Sequence, residues 1–270
     1  MIVIGIAIAG KKLLYAPTNL NWWIDPNWSI DVSIEMVLRA ALMHGGSFFS
    51  LDNVVWSLVH EMRISLVFPF IMLLIQRLTI RQNLLLAVGI SVTAACLSSL
   101  YRSNYFDTLH YSAFFVIGAL LARHQPRVPN KKVLVPLAML LFIYPDVIYP
   151  SYEGLSTSAK SWFVAVGASV FILVAIEKNG FSRFLNWSPM QFLSKISYSL
   201  YLIHVVIILY LIHATSLSTP WVCVITVPLS LLVATLLYHT VEKRSIMIGS
   251  WLTKAKAPKG KVKAKELIAA

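Results

Sequence analysis

The chain has 270 residues, 58% of them hydrophobic and 13% charged, with a mean hydropathy of +0.73. A soluble domain carries about 25% charged residues, so the composition excludes a string of soluble domains and describes one polytopic membrane bundle. The formal net charge of +12 would suggest nucleic acid in a soluble protein, but here Lys and Arg lie in loops and tail, where they report topology and no nucleic-acid partner.

Met1–Tyr15 is apolar but short for a span of about 20 residues. Its Lys11-Lys12 pair follows the apolar run, the reverse of a secretory leader, so no cleaved signal is expected. Ala16–Ser50 reads as a loop carrying Trp22, Trp23 and Trp28, the acids Asp25, Asp31 and Glu35, and Pro17 and Pro26. Tryptophan at this density suits the membrane–water interface, a reading favoured over stacking on a sugar ring. Within the loop, Val32–Met43 has the pattern of a short amphipathic or re-entrant helix. A long span covers 54–76, and apolar runs follow at 84–100, 108–123, 133–149, 160–177, 196–214 and 220–240, the one at 108–123 being the weakest. Together these give an all-α transmembrane helix bundle of about eight spans (7–9). Pro136, Pro145 and Pro228 stand in or at the ends of these runs, where membrane helices tolerate them. Cys96 and Cys223 lie inside apolar runs and read as small buried hydrophobes; no metal-ligand or disulfide spacing is present.

With these spans, 17 Lys and Arg fall on one side and 5 on the other, while Arg63 lies inside the membrane. The positive-inside rule places both termini in the cytoplasm and the loop 11–53 outside. Residues 1–250 form the membrane domain. Residues 251–270 read as a basic, disordered cytoplasmic tail whose lysines are attracted to an anionic lipid surface.

The span that begins near Leu51 organises the rest. Leu51–Pro69 carries His60, Glu61 and Arg63 within a few residues, although a charge at mid-membrane costs roughly 2.5–3.5 kcal/mol on insertion scales. Helical spacing puts Ser57, Glu61 and Ser65 on one stripe and Trp56, His60 and Arg63 on a neighbouring one. Glu61 and Arg63 do not face each other, so each should meet a partner on another helix or a polar ligand. A purely structural polar network is the alternative. In Phe192–Ile208, Ser197, Tyr201 and His204 share one face; the imidazole there serves as a proton carrier, a ligand contact or a packing residue. Gly180–Lys195 before it reads as a cytoplasmic loop.

Trp56-Ser57-Leu58-Val59-His60-Glu61 followed by Phe68-Pro69 resembles the WSLxxE…P signature of the acyltransferase family 3 membrane proteins, which include bacterial O-acetylases of polysaccharides and Nod factors. Ile196-Ser197-Tyr198-Ser199-Leu200-Tyr201-Leu202-Ile203-His204 is similar to the family's late helix. Phe115–Ala122 resembles its "fllGallA" helix, and Tyr238–Lys243 its terminal element, with Arg244-Ser245 in place of the common basic-Pro pair. The resemblance spans roughly residues 1–250. It implies an enzyme of the bacterial cytoplasmic membrane that moves an acyl group, acetyl by family frequency, from cytoplasmic acyl-CoA to a carbohydrate or lipid-linked glycan hydroxyl. No bound cofactor and no metal are implied. Glu61 and His60 are then the candidate catalytic residues, and Trp56, Ser57, Arg63, Tyr201 and His204 the candidate substrate-binding residues. Arg123, Arg127, Lys131 and Lys132 offer charge for CoA phosphates, although topology alone explains them. Family members begin with helices bearing an Arg and, further along, the His used as catalytic base. No such pair precedes Leu51, so the chain is expected to lack its first helices, with His60 or His204 as possible substitutes. An inactive fragment or assembly partner and a secondary transporter are the competing classes; the latter predicts an internal helix repeat, and none is visible.

Overall fold

The computed structural model describes residues 1–16, 26–44, 46–101, 104–148 and 157–254. Trp22, Trp23, Asp25, Pro17, Arg102 and the tail beyond residue 254 lie outside them. The helices are α1 (Ile2–Leu14), α2 (Ile34–Ala41), α3 (Val55–Arg77), α4 (Ile80–Tyr101), α5 (Asn104–His124), α6 (Lys131–Ile148), α7 (Thr157–Ile176), α8 (Gly180–Leu185), α9 (Ser188–Ala214), α10 (Thr219–Leu237), a π-helical turn (Tyr238–Glu242) and α11 (Lys243–Lys254). No strand occurs among the described residues. Six helical segments among them are long and apolar enough to cross a membrane: α3, α4, α5, α7, α9 and the continuous run Thr219–Leu252. The architecture is all-α and polytopic. The two further expected spans correspond to α1, with 13 residues, and α6, with 18.

The chain divides into two compact units, Met1–Val59 with Gln191–Ala270, and His60–Met190. Unit 1 packs α1, α2, the start of α3, α9 and α10 around Ala7, Trp28, Met36, Leu51, Val59, Ile203, Leu209 and Ala234. The short helix anticipated at 32–43 is α2. Ser33 caps it by accepting from the Met36 N–H at 3.1 Å, Glu35 pairs with Arg39 one turn on, and Met36 and Ala40 form its buried stripe.

Unit 2 centres on Ile75, Ala87, Ala113, Val116 and Leu120. Thr79 and Gln82 form a reciprocal capping box at the start of α4. Asn83 closes the α3–α4 turn by donating to the Ile75 and Leu78 carbonyls at 3.1 and 3.2 Å. Glu177 accepts from the Val128 N–H at 3.1 Å and from Lys131, whose ammonium holds the carboxyl below the usual range. Lys131 is thereby engaged within unit 2. The α6–α7 contact needs a glycine: a Cβ on Gly167 would stand 2.7 Å from the Ala138 carbonyl oxygen. Gly167→Ala is expected to cost about 1–3 kcal/mol by overpacking, read as a lower midpoint in detergent thermal unfolding.

Four expectations need correction. Trp28 is not an interfacial anchor: it is fully buried, with φ +63°. Its backbone N–H donates to the Ser50 carbonyl at 2.7 Å, and its indole N–H to the Leu51 carbonyl at 3.2 Å. Those bonds pull the ring onto the chain entering α3 and out of any interface. Cys96 and Cys223 are exposed on α4 and α10, because an apolar run in a span does not tell which face meets lipid. The loop expected at 180–195 is mostly helical. Asn179 and Ser182 form a capping box that starts α8, and α9 begins at Ser188, with Pro189 accepted in its first turn where no N–H is needed. Finally, α11 carries helix to Lys254, past the expected tail boundary at 250.

Candidate active site

The first turn of α3 is tied to α9 inside unit 1. The Tyr201 hydroxyl donates to the Val54 carbonyl at 2.7 Å. With its proton used there, it accepts from Ser57 Oγ at 2.7 Å. Tyr201 therefore ties the head of α3 to α9 through the Val54 carbonyl. One turn further along α9, His204 Nδ1 lies 3.2 Å from the Leu200 carbonyl. A carbonyl only accepts, so Nδ1 carries a proton in this contact. Tyr201 and His204 line a cavity of about 480 Å³ with Ser197, Thr226, Val227 and Ser230. A larger cavity of about 620 Å³ in the same unit includes Tyr198, Ser199, Glu242 and Ser245. There Ser199 Oγ donates to Glu242 Oε2 at 2.5 Å, and Glu242 ends the π-helical turn, a distortion often found at functional sites.

Unit 2 holds an intramembrane polar cluster on α3 and α5. His60 is buried, and its Nδ1 shares a hydrogen bond with Thr108 Oγ1 at 2.7 Å. Arg63 Nη1 donates to the same oxygen at 3.2 Å, and the guanidinium lies over the Tyr105 ring, 4.5 Å from its centroid. Thr108 and Tyr105 thus answer for a cation that lipid would not solvate. The His60 ring also packs against Tyr111 at 5.3 Å. Asp107, in the first turn of α5, lies within electrostatic range of His60.

Of the expected stripe Trp56, His60 and Arg63, the latter two side chains both reach Thr108. Ser57 and Tyr201 are likewise brought together, with His204 beside Tyr201 at a ring distance of 6.1 Å. Glu61 is exposed, and none of the described hydrogen bonds or ion pairs includes it. Trp56 is 40% exposed. Sequence reasoning misses Thr108, His110 and Trp162, although a polar run in an apolar helix (here Asp107-Thr108-Leu109-His110-Tyr111) is the same signal that singles out α3. It also misses Asp52. That residue is fully buried, and neither carboxylate oxygen has a hydrogen bond of normal geometry among the described residues. Burial pushes its carboxyl up to about 7, a rise the nearby Val54 N–H only partly offsets. Among the described residues no group of three or more His, Cys, Asp or Glu converges as a metal requires.

A family model described as an acyltransferase domain matches residues 1–239. The chain is similar to a Bacillus subtilis (strain 168) protein named "Putative peptidoglycan O-acetyltransferase YrhL", with 26% identity over 223 residues. The match covers 73% of this chain and 35% of that protein, so the chain spans about a third of the relative's length. No solved structure matches it.

Proposed function

We propose a reaction from one premise: the chain belongs to acyltransferase family 3. It transfers an acyl group, acetyl in the simplest case, from acyl-CoA to a hydroxyl of a cell-envelope carbohydrate, in the bacterial cytoplasmic membrane. The relative's name supports peptidoglycan or its lipid-linked precursor as the acceptor class. The observation that carries this reading is the convergence of His60 and Arg63 on Thr108 within apolar helices. Ionisable groups are costly in a span and are kept there by a task.

The acceptor oxygen attacks the thioester carbonyl carbon, the C–S bond breaks and CoA leaves as its thiol. His60 takes the hydroxyl proton and passes it to the departing sulfur. Arg63 holds anionic groups of the donor or the developing oxyanion, already oriented by Thr108 and the Tyr105 ring. Glu61 lies on the open face of α3, where its carboxylate accepts from a substrate hydroxyl or meets a cationic partner. In unit 1, the cavity beside Tyr201 and His204 takes an apolar portion of a substrate, with the His204 imidazole as its polar contact. Ser57, at the head of α3 after Trp56, reaches the Tyr201 hydroxyl that borders this cavity.

The test is transfer of radiolabelled acetyl from acetyl-CoA to a peptidoglycan disaccharide by the purified chain in proteoliposomes. Wild type is expected to transfer label. His60→Ala should lower turnover about 10²–10⁴-fold, the range for a lost general base, and Glu61→Gln, which removes the carboxylate charge, should lower it too. Turnover unchanged in either variant removes that residue from the chemistry. A chain that inserts stably and transfers nothing supports the assembly-partner class instead.

A further inference from the structure

A second polar chain in unit 2 takes no part in the steps above. Trp162 Nε1 donates to Ser91 Oγ at 2.8 Å; an indole N–H can only donate, so that direction is fixed. Ser91 Oγ lies 2.9 Å from His110 Nδ1. Ser91 has one proton, and His110 is the acceptor the described residues offer it. Ser91 therefore donates to Nδ1, and neutral His110 carries its proton on Nε2. That Nε2 is buried and has no hydrogen-bond partner among the described residues. The residue is only 5% exposed. Its ring is held edge-on by Tyr111 at 5.3 Å and Phe114 at 5.1 Å, and Phe114 in turn packs on Trp162 at 5.1 Å.

Three elements, α4, α5 and α7, thus fix both the tautomer and the orientation of one imidazole, yet leave its donor unused. An unmade buried hydrogen bond costs about 1–3 kcal/mol, and native structures leave few of them. The imidazole is also linked to the cluster described above through one shared ring. Tyr111 touches the rings of His60 and His110 alike, each at 5.3 Å.

We infer that His110 is a hydrogen-bond donor to the acyl carbonyl oxygen of the substrate, with Ser91 and Trp162 as the residues that position it. This rests on the acyl-transfer reading above. As the acceptor oxygen bonds to the carbonyl carbon, the C=O π pair moves onto oxygen, and the Nε2–H bond shortens toward the growing charge. The pair returns when the C–S bond breaks. His110 keeps its proton throughout. Preorganised donors of this kind act mainly on the transition state, so their loss appears in kcat more than in KM.

The experiment uses the whole chain, labelled with ¹⁵N-histidine, in lipid bilayers. The His110 signals are identified by their loss in His110→Gln. Expected are a protonated Nε2, an unprotonated Nδ1, and a shift of the Nε2–H resonance on adding acetyl-CoA. Ser91→Ala should relax the ring to a mixture of tautomers. In the proteoliposome assay, His110→Phe should lower kcat about 10²–10³-fold with little change in KM. His110→Gln, which returns an N–H near the Nε2 position, should recover kcat to within roughly tenfold of wild type. A proton on Nδ1, or an unmoved kcat in His110→Phe, overturns the inference and leaves a packing histidine or one bonded to buried water. So does a His110→Gln enzyme as slow as His110→Phe. If wild type transfers nothing, the functional reading fails separately. The acetyl-CoA shift then decides alone: its presence supports a carbonyl-binding donor, and its absence refutes one.

Discussion

Replacing Asp52 by Asn is expected to stabilise the protein above neutral pH and to leave it unchanged in acid. Asp52 is fully buried ahead of α3, without a hydrogen bond of normal geometry among the described residues, and its carboxyl is pushed up to about 7 from 3.8 by loss of hydration. Between those values the folded chain holds a proton that the unfolded chain releases. The unfolded state then binds fewer protons, so stability falls as pH rises through this window. Below about pH 4 both states are protonated and the effect vanishes. Above about pH 7 it is complete. Each tenfold change in proton affinity between the two states is worth about 1.36 kcal/mol, so the effect approaches a ceiling of ~4 kcal/mol. An amide has nearly the same shape and does not titrate. Unfolding midpoints in detergent, measured from pH 4 to pH 8, should fall for wild type and stay level for Asp52→Asn. Parallel curves would mean that the carboxylate is solvated or paired in the folded state, and the burial argument would be wrong.

Much of the candidate site is legible in the sequence because polar side chains in apolar helices are conspicuous. His60, Arg63, Tyr201 and His204 announce themselves in this way, and helical spacing correctly places His60 and Arg63 on one stripe. Spacing says nothing about the partner, however. Thr108 is an unremarkable hydroxyl at the head of the weakest span, and only the packing of α5 against α3 makes it the meeting point of two side chains. His110 is inconspicuous for the same reason, since its meaning depends on Ser91 and Trp162, 19 residues before it and 52 after it in the chain. The spans themselves are clear from hydropathy, but their ends are not. Pro189 looks like a breaker and instead sits in the first turn of α9, where its missing N–H costs nothing. Composition also misleads at Trp28, whose neighbourhood of tryptophans and prolines suggests an interface.

Trp28→Ala should be the most damaging single truncation in unit 1, at about 3–5 kcal/mol for a fully buried aromatic. The ring fills a slot made for it. It stacks on His213 at 5.2 Å and meets Tyr210 edge-on at 5.5 Å. A Cβ on Gly10 would lie 2.6 Å from the indole and 2.5 Å from the Tyr210 ring, so α1 must present a glycine there. Tyr210 donates to the Ile6 carbonyl at 2.8 Å, which fixes α9 against α1 at the same level. Removing the indole therefore opens a cavity bordered by α1, α9 and the approach to α3, and it leaves the Leu51 carbonyl without its donor. Trp28→Phe separates the two contributions. It keeps most of the ring contact and loses only the N–H bond, so it should cost about 1–3 kcal/mol. Thermal unfolding of the three proteins in one detergent should give the order wild type, Phe, Ala. A Phe variant as unstable as the Ala variant would show that the hydrogen bond to Leu51, more than the packing, holds the segment entering α3 in place.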